Sequence, residues 1–463
     1  MKKTNLAQNT IILGICTLLN KGLLFVMVPF FSRWLSTEEF GLYDLLSTYV
    51  TLLIPVITLS CSDAIFRLSL DKDEKEYKSF YITNGLGIVA INSIISVVVI
   101  SLFFHYTHND NCIPFLALLL GETVDNYLQG YLRAIKKINV YAICKTLSVV
   151  FTAIIVSVLI LVFHMGLAGI LYGYAFGFFM SDVVAVFVTK FPQYIDRKKF
   201  SLPVVKEMLG YSLPLVPNSL SWWVINVSDR TIINLVLGAA SNGIYAIAYK
   251  IPNLCSAVFG VFNISWQEAA TDMSTEANRN GYYNSVFDNL LGVLFSLCGG
   301  ILSLNYFFFF VIFDSKYSDA YLYAPILVAS VLFSSISTFF GGIQISLKRP
   351  KANGLSTVIG AVVNLIVHIG LVSYVGLYAA AFSTLISNIT ISIIRVWMLK
   401  DTVVFKLDNK QYIYAGIFLY LFIAAYWSKK PVFATMNVAI ATIFFCIVNK
   451  NNIMKILLKV SKK

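Results

Sequence analysis

The feature that most constrains this chain is a succession of apolar runs, each long enough to cross a lipid bilayer. A helix needs roughly 20 residues to span a hydrocarbon core of about 30 Å. Runs of that order occupy 10–31, 42–65, 80–104, 113–132, 141–163, 167–189, 208–236, 243–265, 285–313, 321–347, 354–374, 377–398, 411–427 and 431–448. Of the 463 residues, 58% are hydrophobic and 13% charged. A soluble domain carries about 25% charged residues, so this chain could not cover a water-facing surface. Backbone groups in lipid must be satisfied within the chain, which leaves helices as the fitting element. The expected fold class is all-α: a polytopic membrane protein of about fourteen transmembrane helices.

The formal charge of +12 would suggest nucleic acid as the partner of a soluble protein. Here the Lys and Arg residues lie between the apolar runs, so the excess is a positive-inside signature and no nucleic acid partner is expected. One set of loops holds Arg67, Lys72, Lys75 and Lys78, then Lys136 and Lys137, then the 190–206 cluster, then Lys348, Arg349 and Lys351, then Lys400, Lys406 and Lys410. The opposite set holds only Arg33, Lys316, Lys429 and Lys430. Both termini are therefore expected on the cytoplasmic side. Lys2 and Lys3 precede an apolar run as in a signal peptide, but the run continues past Pro29 without a small-residue cleavage site and reads as an uncleaved first helix.

Several chemistries lack their motifs. Seven cysteines show neither C-x-x-C nor zinc-ligand spacing, and they read as small core residues, with only Cys112 outside a run. There is no Walker A sequence and no nucleophile elbow. No cofactor or metal is expected, and the chain is not expected to be an enzyme. The loops reach only about twenty residues, as around 190–207 and 266–284, so function must reside in the helix bundle or at its rim.

An internal repeat is visible. Gly41-Leu42-Tyr43 resembles Gly243-Ile244-Tyr245, the stretch Gly130 to Val140 resembles Gly342 to Ala352, and Gly166-Leu167 resembles Gly376-Leu377, at offsets of about 202 to 212 residues. Six spans separate the copies, so the expected repeat is parallel, as in some transporters. The expected domains are an N-lobe over 1–200, a C-lobe over 201–400, and two extra helices with a basic tail over 401–463.

Polar residues inside the runs mark candidate sites, because an ionisable group at the bilayer centre costs about 2.5–3.5 kcal/mol on insertion scales. In the first run Thr10, Gly14, Thr17 and Lys21 share one helical face. In the fourth, Glu122, Asp125, Gln129 and Arg133 do so, with Lys21 a candidate partner for Asp125. The tenth run keeps the stripe as Ser334, Ser337 and Gly341, without charge. The seventh carries Asn218, Ser221 and Asp229 on one face and Asn226, Arg230 and Asn234 on the next, broken by Pro214 and Pro217. Lys250 precedes Pro252 in the eighth run, and His368 ends a Ser356, Gly360, Asn364 stripe in the eleventh. Asp63 and Arg67 stand one turn apart. Lys21, Arg230, Lys250 and Arg133 are candidate substrate-binding cations. Asp63, Arg67, Asp125, Asp229 and His368 are candidate gating or ion-coupling groups.

An ordered set of segments resembles a known family. Tyr211-Ser212-Leu213-Pro214-Leu215-Val216-Pro217-Asn218, then Ser228-Asp229-Arg230, then Leu237-Gly238 and Gly243-Ile244-Tyr245, resemble the start of the second lobe in polysaccharide-export flippases of the Wzx type, in the MOP superfamily. Lys21-Gly22 through Glu39-Phe40-Gly41-Leu42-Tyr43 resembles their first helix and loop, and Ser62-Asp63-Ala64-Ile65-Phe66-Arg67 the end of their second. The likeness covers about 1–400. It implies two six-helix lobes around a central cavity in a bacterial cytoplasmic membrane. It also implies alternating access for an undecaprenyl-pyrophosphate-linked oligosaccharide destined for O-antigen or capsule. The implied partners are that lipid-linked oligosaccharide, membrane lipids, H+ or Na+, and polysaccharide polymerase machinery. The alternatives are a MATE-type drug or metabolite exporter, a lipid II flippase and, less favoured, a membrane glycan polymerase or ligase.

The charge asymmetry predicts an accessibility pattern. In a Cys-less background, a membrane-impermeant thiol reagent added outside intact cells should label Asn109→Cys and miss Lys198→Cys. Labelling at position 198 would reverse the orientation.

Overall fold

A computed structural model describes residues 3–69, 74–108, 110–274, 276–405, 408–427, 430–450 and 454. Lys72, Asn109, Lys406 and Lys429, with the side chains of Thr10, Asn218, Ser221 and Asn226, lie outside the described residues. The regular structure described is entirely helical. Two compact units form, Met1–Asn234 and Leu235–Lys463.

The first unit holds α1 (Lys3–Trp34), α2 (Thr37–Ile57), α3 (Cys61–Leu68), α4 (Lys75–Tyr106), α5 (Cys112–Ala134), α6 (Ile138–Leu161), α7 (Gly166–Thr189), α8 (Leu202–Ser212) and nearly all of α9 (Leu215–Leu237). The second holds α10 (Ala239–Asp272), α11 (Arg279–Ser303), the single turn α12 (Asn305–Phe307), α13 (Ala324–Ser346), α14 (Pro350–Val375), α15 (Leu377–Leu399), α16 (Asn409–Trp427) and α17 (Pro431–Val448). Fourteen of these have at least 18 residues, which matches the number of runs in the sequence. Ten are apolar enough to cross a membrane by length and composition. Of the other four, α1 carries Lys21, α5 Asp125 and α9 Arg230.

The outward faces suit lipid. On α4, Ile94, Val98 and Leu102 are 67%, 53% and 64% exposed, a stripe that water would penalise and hydrocarbon would not.

Helix ends follow local chemistry. Ser36 and Glu39 form a capping box at α2: Glu39 N–H donates to Ser36 Oγ at 3.1 Å, and Ser36 N–H donates to Glu39 Oε2 at 2.8 Å. The other carboxylate oxygen accepts from Leu167 N–H at 3.3 Å, so Glu39 also caps α7. The run over 42–65 does not form one helix. Leu59 and Ser60 both adopt left-handed backbone, with φ of 49° and 53°, and this kink ends α2 and starts α3. The freed carbonyl of Ile57 accepts from Asn92 Nδ2 at 3.0 Å. The run over 208–236 is likewise divided, at Leu213-Pro214, and the run over 285–313 ends its regular helix at Ser303.

Small residues set the closest approaches. A Cβ at Gly177 would meet the backbone N of Thr152 at 2.8 Å, and one at Gly173 the backbone N of Val156 at 2.9 Å, so α6 and α7 touch almost backbone to backbone. In the second unit, Ser387 Oγ donates to Gly360 O at 2.7 Å across the corresponding α14–α15 contact. Trp266 anchors an aromatic core there, stacked on Phe339 at 4.3 Å and donating Nε1–H to Phe339 O at 3.0 Å. Both α16 and α17 pack on α11, through Gln411 Nε2 to Asp288 Oδ1 at 2.7 Å and Asn449 Nδ2 to Ser296 Oγ at 3.0 Å. Cys255 on α10 and Cys298 on α11 are buried with their sulfurs 3.8 Å apart.

Overpacking at the α6–α7 seam should be costly. Gly177→Ala should lower stability by about 1–3 kcal/mol, seen as earlier thermal unfolding of detergent-purified protein. Gly370→Ala, where a Cβ meets nothing within 4 Å, is the matched control and should melt like the parent.

Candidate functional site

The kink between α2 and α3 opens a polar cavity within the first unit. It encloses about 340 Å³ and is lined by Thr58, Ser60, Asp63, Glu122, Asn126 and Arg133, among others. Ser60 sits at the kink. A Cβ at Gly130 of α5 would lie 2.7 Å from Ser62 Cα, so the missing side chain lets α3 approach α5. Ser62 Oγ is then placed to donate to Asn126 Oδ1 at 2.6 Å.

Arg133 and Asp63, separate candidates in the sequence, meet in the cavity wall. Arg133 Nη2 lies 3.2 Å from Asp63 Oδ1, and its guanidinium lies 4.8 Å from the ring centre of Phe66. The one-turn spacing of Asp63 and Arg67 did not suggest this partner. Arg67 is exposed near the end of α3. The pair is partly open to solvent, so it contributes little to stability and leaves Arg133 available to a competing anion.

Deeper in the same bundle is a second charge group. Asp125, 2% exposed, accepts from Lys145 Nζ at 2.7 Å and from Gln129 Nε2 at 2.9 Å. Lys145 on α6 therefore replaces Lys21 as the partner of Asp125. Lys21 is exposed on α1, with no ion pair or hydrogen bond among the described residues.

A third pair joins α9 to α2. Arg230 Nε donates to Asp44 Oδ2 at 3.0 Å, with the two side chains 10% and 12% exposed. Trp223 Nε1 donates to Thr48 O at 2.8 Å on the same interface. Arg230, read from the sequence as a second-lobe cation, thus belongs to the first compact unit and is balanced by an acid. Asp229 beside it is buried. Lys250 is half-buried on α10, and His368 is fully buried on α14.

The second unit contains a cation that the sequence reading missed. Arg395 on α15, 7% exposed, donates Nη1–H to Ser337 O at 2.7 Å, Nε–H to Ser356 Oγ at 3.0 Å and Nη2–H to Thr357 Oγ1 at 2.9 Å. It ties α13, α14 and α15 together through neutral oxygens. Asp44, Lys145, Asp182 and Arg395 were all overlooked as site residues. For Lys145, Asp182 and Arg395 the available signal was a lone charge inside an apolar run.

Long helices with lipid-suited faces and charged residues buried among them define a multi-pass membrane protein. The chain belongs to the polysaccharide biosynthesis protein family, whose sequence model matches residues 6–270. It is 22% identical over 417 residues to an uncharacterized membrane protein of Methanocaldococcus jannaschii, covering 85% of this chain and 97% of that one. To the probable low-salt glycan biosynthesis flippase Agl15 of Haloferax volcanii it is 24% identical over 426 residues, covering 88% and 86%. Among solved structures, the lipid II flippase MurJ in an inward closed conformation superposes with a TM-score of 0.68 at 15% identity, covering 97% of this chain and 100% of that one. An inward-facing multidrug resistance MATE family transporter of the MOP superfamily gives 0.64 at 14% identity, covering 84% and 96%. The chain shares its fold with these two structures.

The Asp125–Lys145 contact sets a stability expectation. Lys145→Met leaves a buried carboxylate unanswered and should cost about 3–5 kcal/mol. Adding Asp125→Leu removes that charge and should recover most of the loss. Thermal unfolding of the two variants in detergent measures the difference, and equal loss in both would show the pair is not what stabilises the junction.

Proposed function

We propose that this protein flips undecaprenyl-pyrophosphate-linked oligosaccharide repeat units across the cytoplasmic membrane by alternating access, for surface polysaccharide assembly. The observation that carries this reading is Lys21, a cation in the middle of a long apolar helix with no counter-ion among the described residues. A charge at that depth is costly unless it faces polar surroundings or a ligand. A pyrophosphate is a dense anion that such a cation would hold strongly where the dielectric is low. The family and the flippase relative support the same class of cargo.

In this proposal Lys21 receives the headgroup first, and Arg133 at the polar cavity assists. Arg230 joins when the phosphate displaces Asp44, since a guanidinium suits phosphate geometry at least as well as carboxylate. Lys250 is a separate candidate cation within the second unit. The polyprenyl tail stays in lipid while the sugars cross with the headgroup. The domain reading carried into this proposal is a pair of six-helix lobes with α16 and α17 as additions, both termini in the cytoplasm, and an ion gradient of H+ or Na+ as the drive.

The second reading is a MATE-type exporter of cationic compounds, favoured by the buried carboxylates Asp125 and Asp182. One experiment separates them. In a strain lacking its own flippase, the parent gene should restore surface polysaccharide. Lys21→Ala should abolish that restoration at normal protein abundance, and Lys21→Arg should retain more of it. Drug resistance without restored glycan would favour the exporter. Full glycan export by the Lys21→Ala, Arg230→Ala double variant would refute the assigned cations.

A further inference from the structure

On α5 and α7 of the first unit, two buried acceptor oxygens have no donor among the described residues. Asp182 on α7 is 5% exposed and its Oδ2 has no hydrogen-bond partner. Gln129 on α5 spends its Nε2 on Asp125 and leaves its Oε1 buried and unbonded. Buried polar atoms in native structures are nearly always satisfied, so this junction is short of hydrogens.

The charges tell the same story. Asp182 lies within electrostatic reach of Asp125 and Lys145, and Glu122 within reach of the same two. Other titratable groups around α7 and Lys145 are Tyr141 and Cys144 on α6, Tyr43 and Asp44 on α2 near Tyr174 of α7, Glu39 of α2 at the start of α7, and Tyr131 of α5, which donates to Thr189 Oγ1 at 3.1 Å. Beyond the far end of α7, Tyr194 packs on Tyr131. Lys145 is the single cation among these groups, and Asp44 is already held by Arg230. Three carboxylates, Glu122, Asp125 and Asp182, therefore share one lysine, which already contacts Asp125 at 2.7 Å. With all three ionised, the junction would carry two uncompensated negative charges inside the span. No group of three His, Cys, Asp or Glu among the described residues could hold a metal ion. Glu122 lines the polar cavity, which gives the junction a hydrophilic approach.

We propose that the α5–α6–α7 junction is a proton-binding site, with Asp182 as the acceptor and Glu122 as the group that passes the proton between the cavity and the buried Asp125–Lys145 pair. The proton adds to a carboxylate oxygen of Asp182, supplies a missing donor and removes one negative charge; release to the cavity reverses each change. Because α5, α6 and α7 each contribute a charged group, loading alters the attraction among three helices at once. A ligand with such a differential contact shifts a conformational equilibrium. The coupling to transport, though not the site, rests on the flippase reading above.

The test is infrared difference spectroscopy of the purified full-length protein in lipid nanodiscs, titrated between acid and alkaline buffer. The parent should show a pH-dependent protonated-carboxyl band that Asp182→Asn loses, while Glu122→Gln keeps the band but exchanges its proton more slowly after a pH jump. Sodium chloride in place of potassium chloride should leave the band unchanged. An identical band in the parent and Asp182→Asn, or a band displaced by sodium, overturns the proposal. Should Asp182→Asn fail to purify as a monodisperse protein, Asp182→Glu decides: a shifted band supports the site and an unmoved one refutes it. In proteoliposomes a pH gradient should drive transport of the lipid-linked oligosaccharide by the parent but not by Asp182→Asn. A persistent band with no transport under either a pH gradient or a sodium gradient would reject the flippase reading and leave the proton site standing.

Discussion

A charge carried into hydrocarbon is costly unless a nearby group answers it, and the charges that are answered organise the bundle. Lipid offers no competing hydrogen bonds, so the answer comes from another helix. Asp125 and Lys145 join α5 to α6, Arg230 and Asp44 join α9 to α2, and Arg395 joins α15 to α13 and α14. Each contact is directional, unlike the small-residue packing of Gly173 and Gly177, which lets helices approach but does not fix their register. Packing brings the helices close; the charge pairs decide which faces meet.

That division explains what was legible in the sequence. Hydropathy alone located the long helices, because the bilayer thickness imposes a length on each of them. Helical spacing also gathered Glu122, Asp125, Gln129 and Arg133 onto one face. Periodicity places residues on a face, however, and does not name the helix opposite. Asp125 therefore found Lys145 rather than Lys21, and Asp63 found Arg133 on another helix. The kink at Leu59 and Ser60 was invisible for a different reason: neither residue is the Gly or Pro that normally announces a break, and the left-handed backbone is sustained by tertiary contacts such as Asn92 with the Ile57 carbonyl. The polar cavity exists because of that kink, so the cavity too was beyond reach of pattern reading.

The repeat gains a chemical dimension from the second unit. The offset of 212 that matches Gly130 to Gly342 carries Asp125 onto Ser337 and Lys145 onto Thr357. In the first unit those positions form an ion pair. In the second, their neutral counterparts accept hydrogen bonds from Arg395. In the first unit opposite charges join two helices, and in the second a guanidinium among hydroxyls and carbonyls joins three. Where the sequence repeat aligns the two halves the electrostatics diverge, and the carboxylates Glu122 and Asp125 align with the neutral Ser334 and Ser337.

The buried thiols of Cys255 and Cys298 have a practical consequence. Their sulfurs stand 3.8 Å apart on neighbouring helices, and a disulfide closes at about 2.05 Å. Less than two ångströms of approach separates the resting seam from a covalent lock. At 1% and 0% exposure the sulfurs are shielded from an oxidant unless the helices part. The native chain therefore carries its own clock. The rate at which the cross-link forms under a fixed oxidant counts how often the α10–α11 seam breathes, with no label introduced, and any cargo or ion that stills the seam would slow the count.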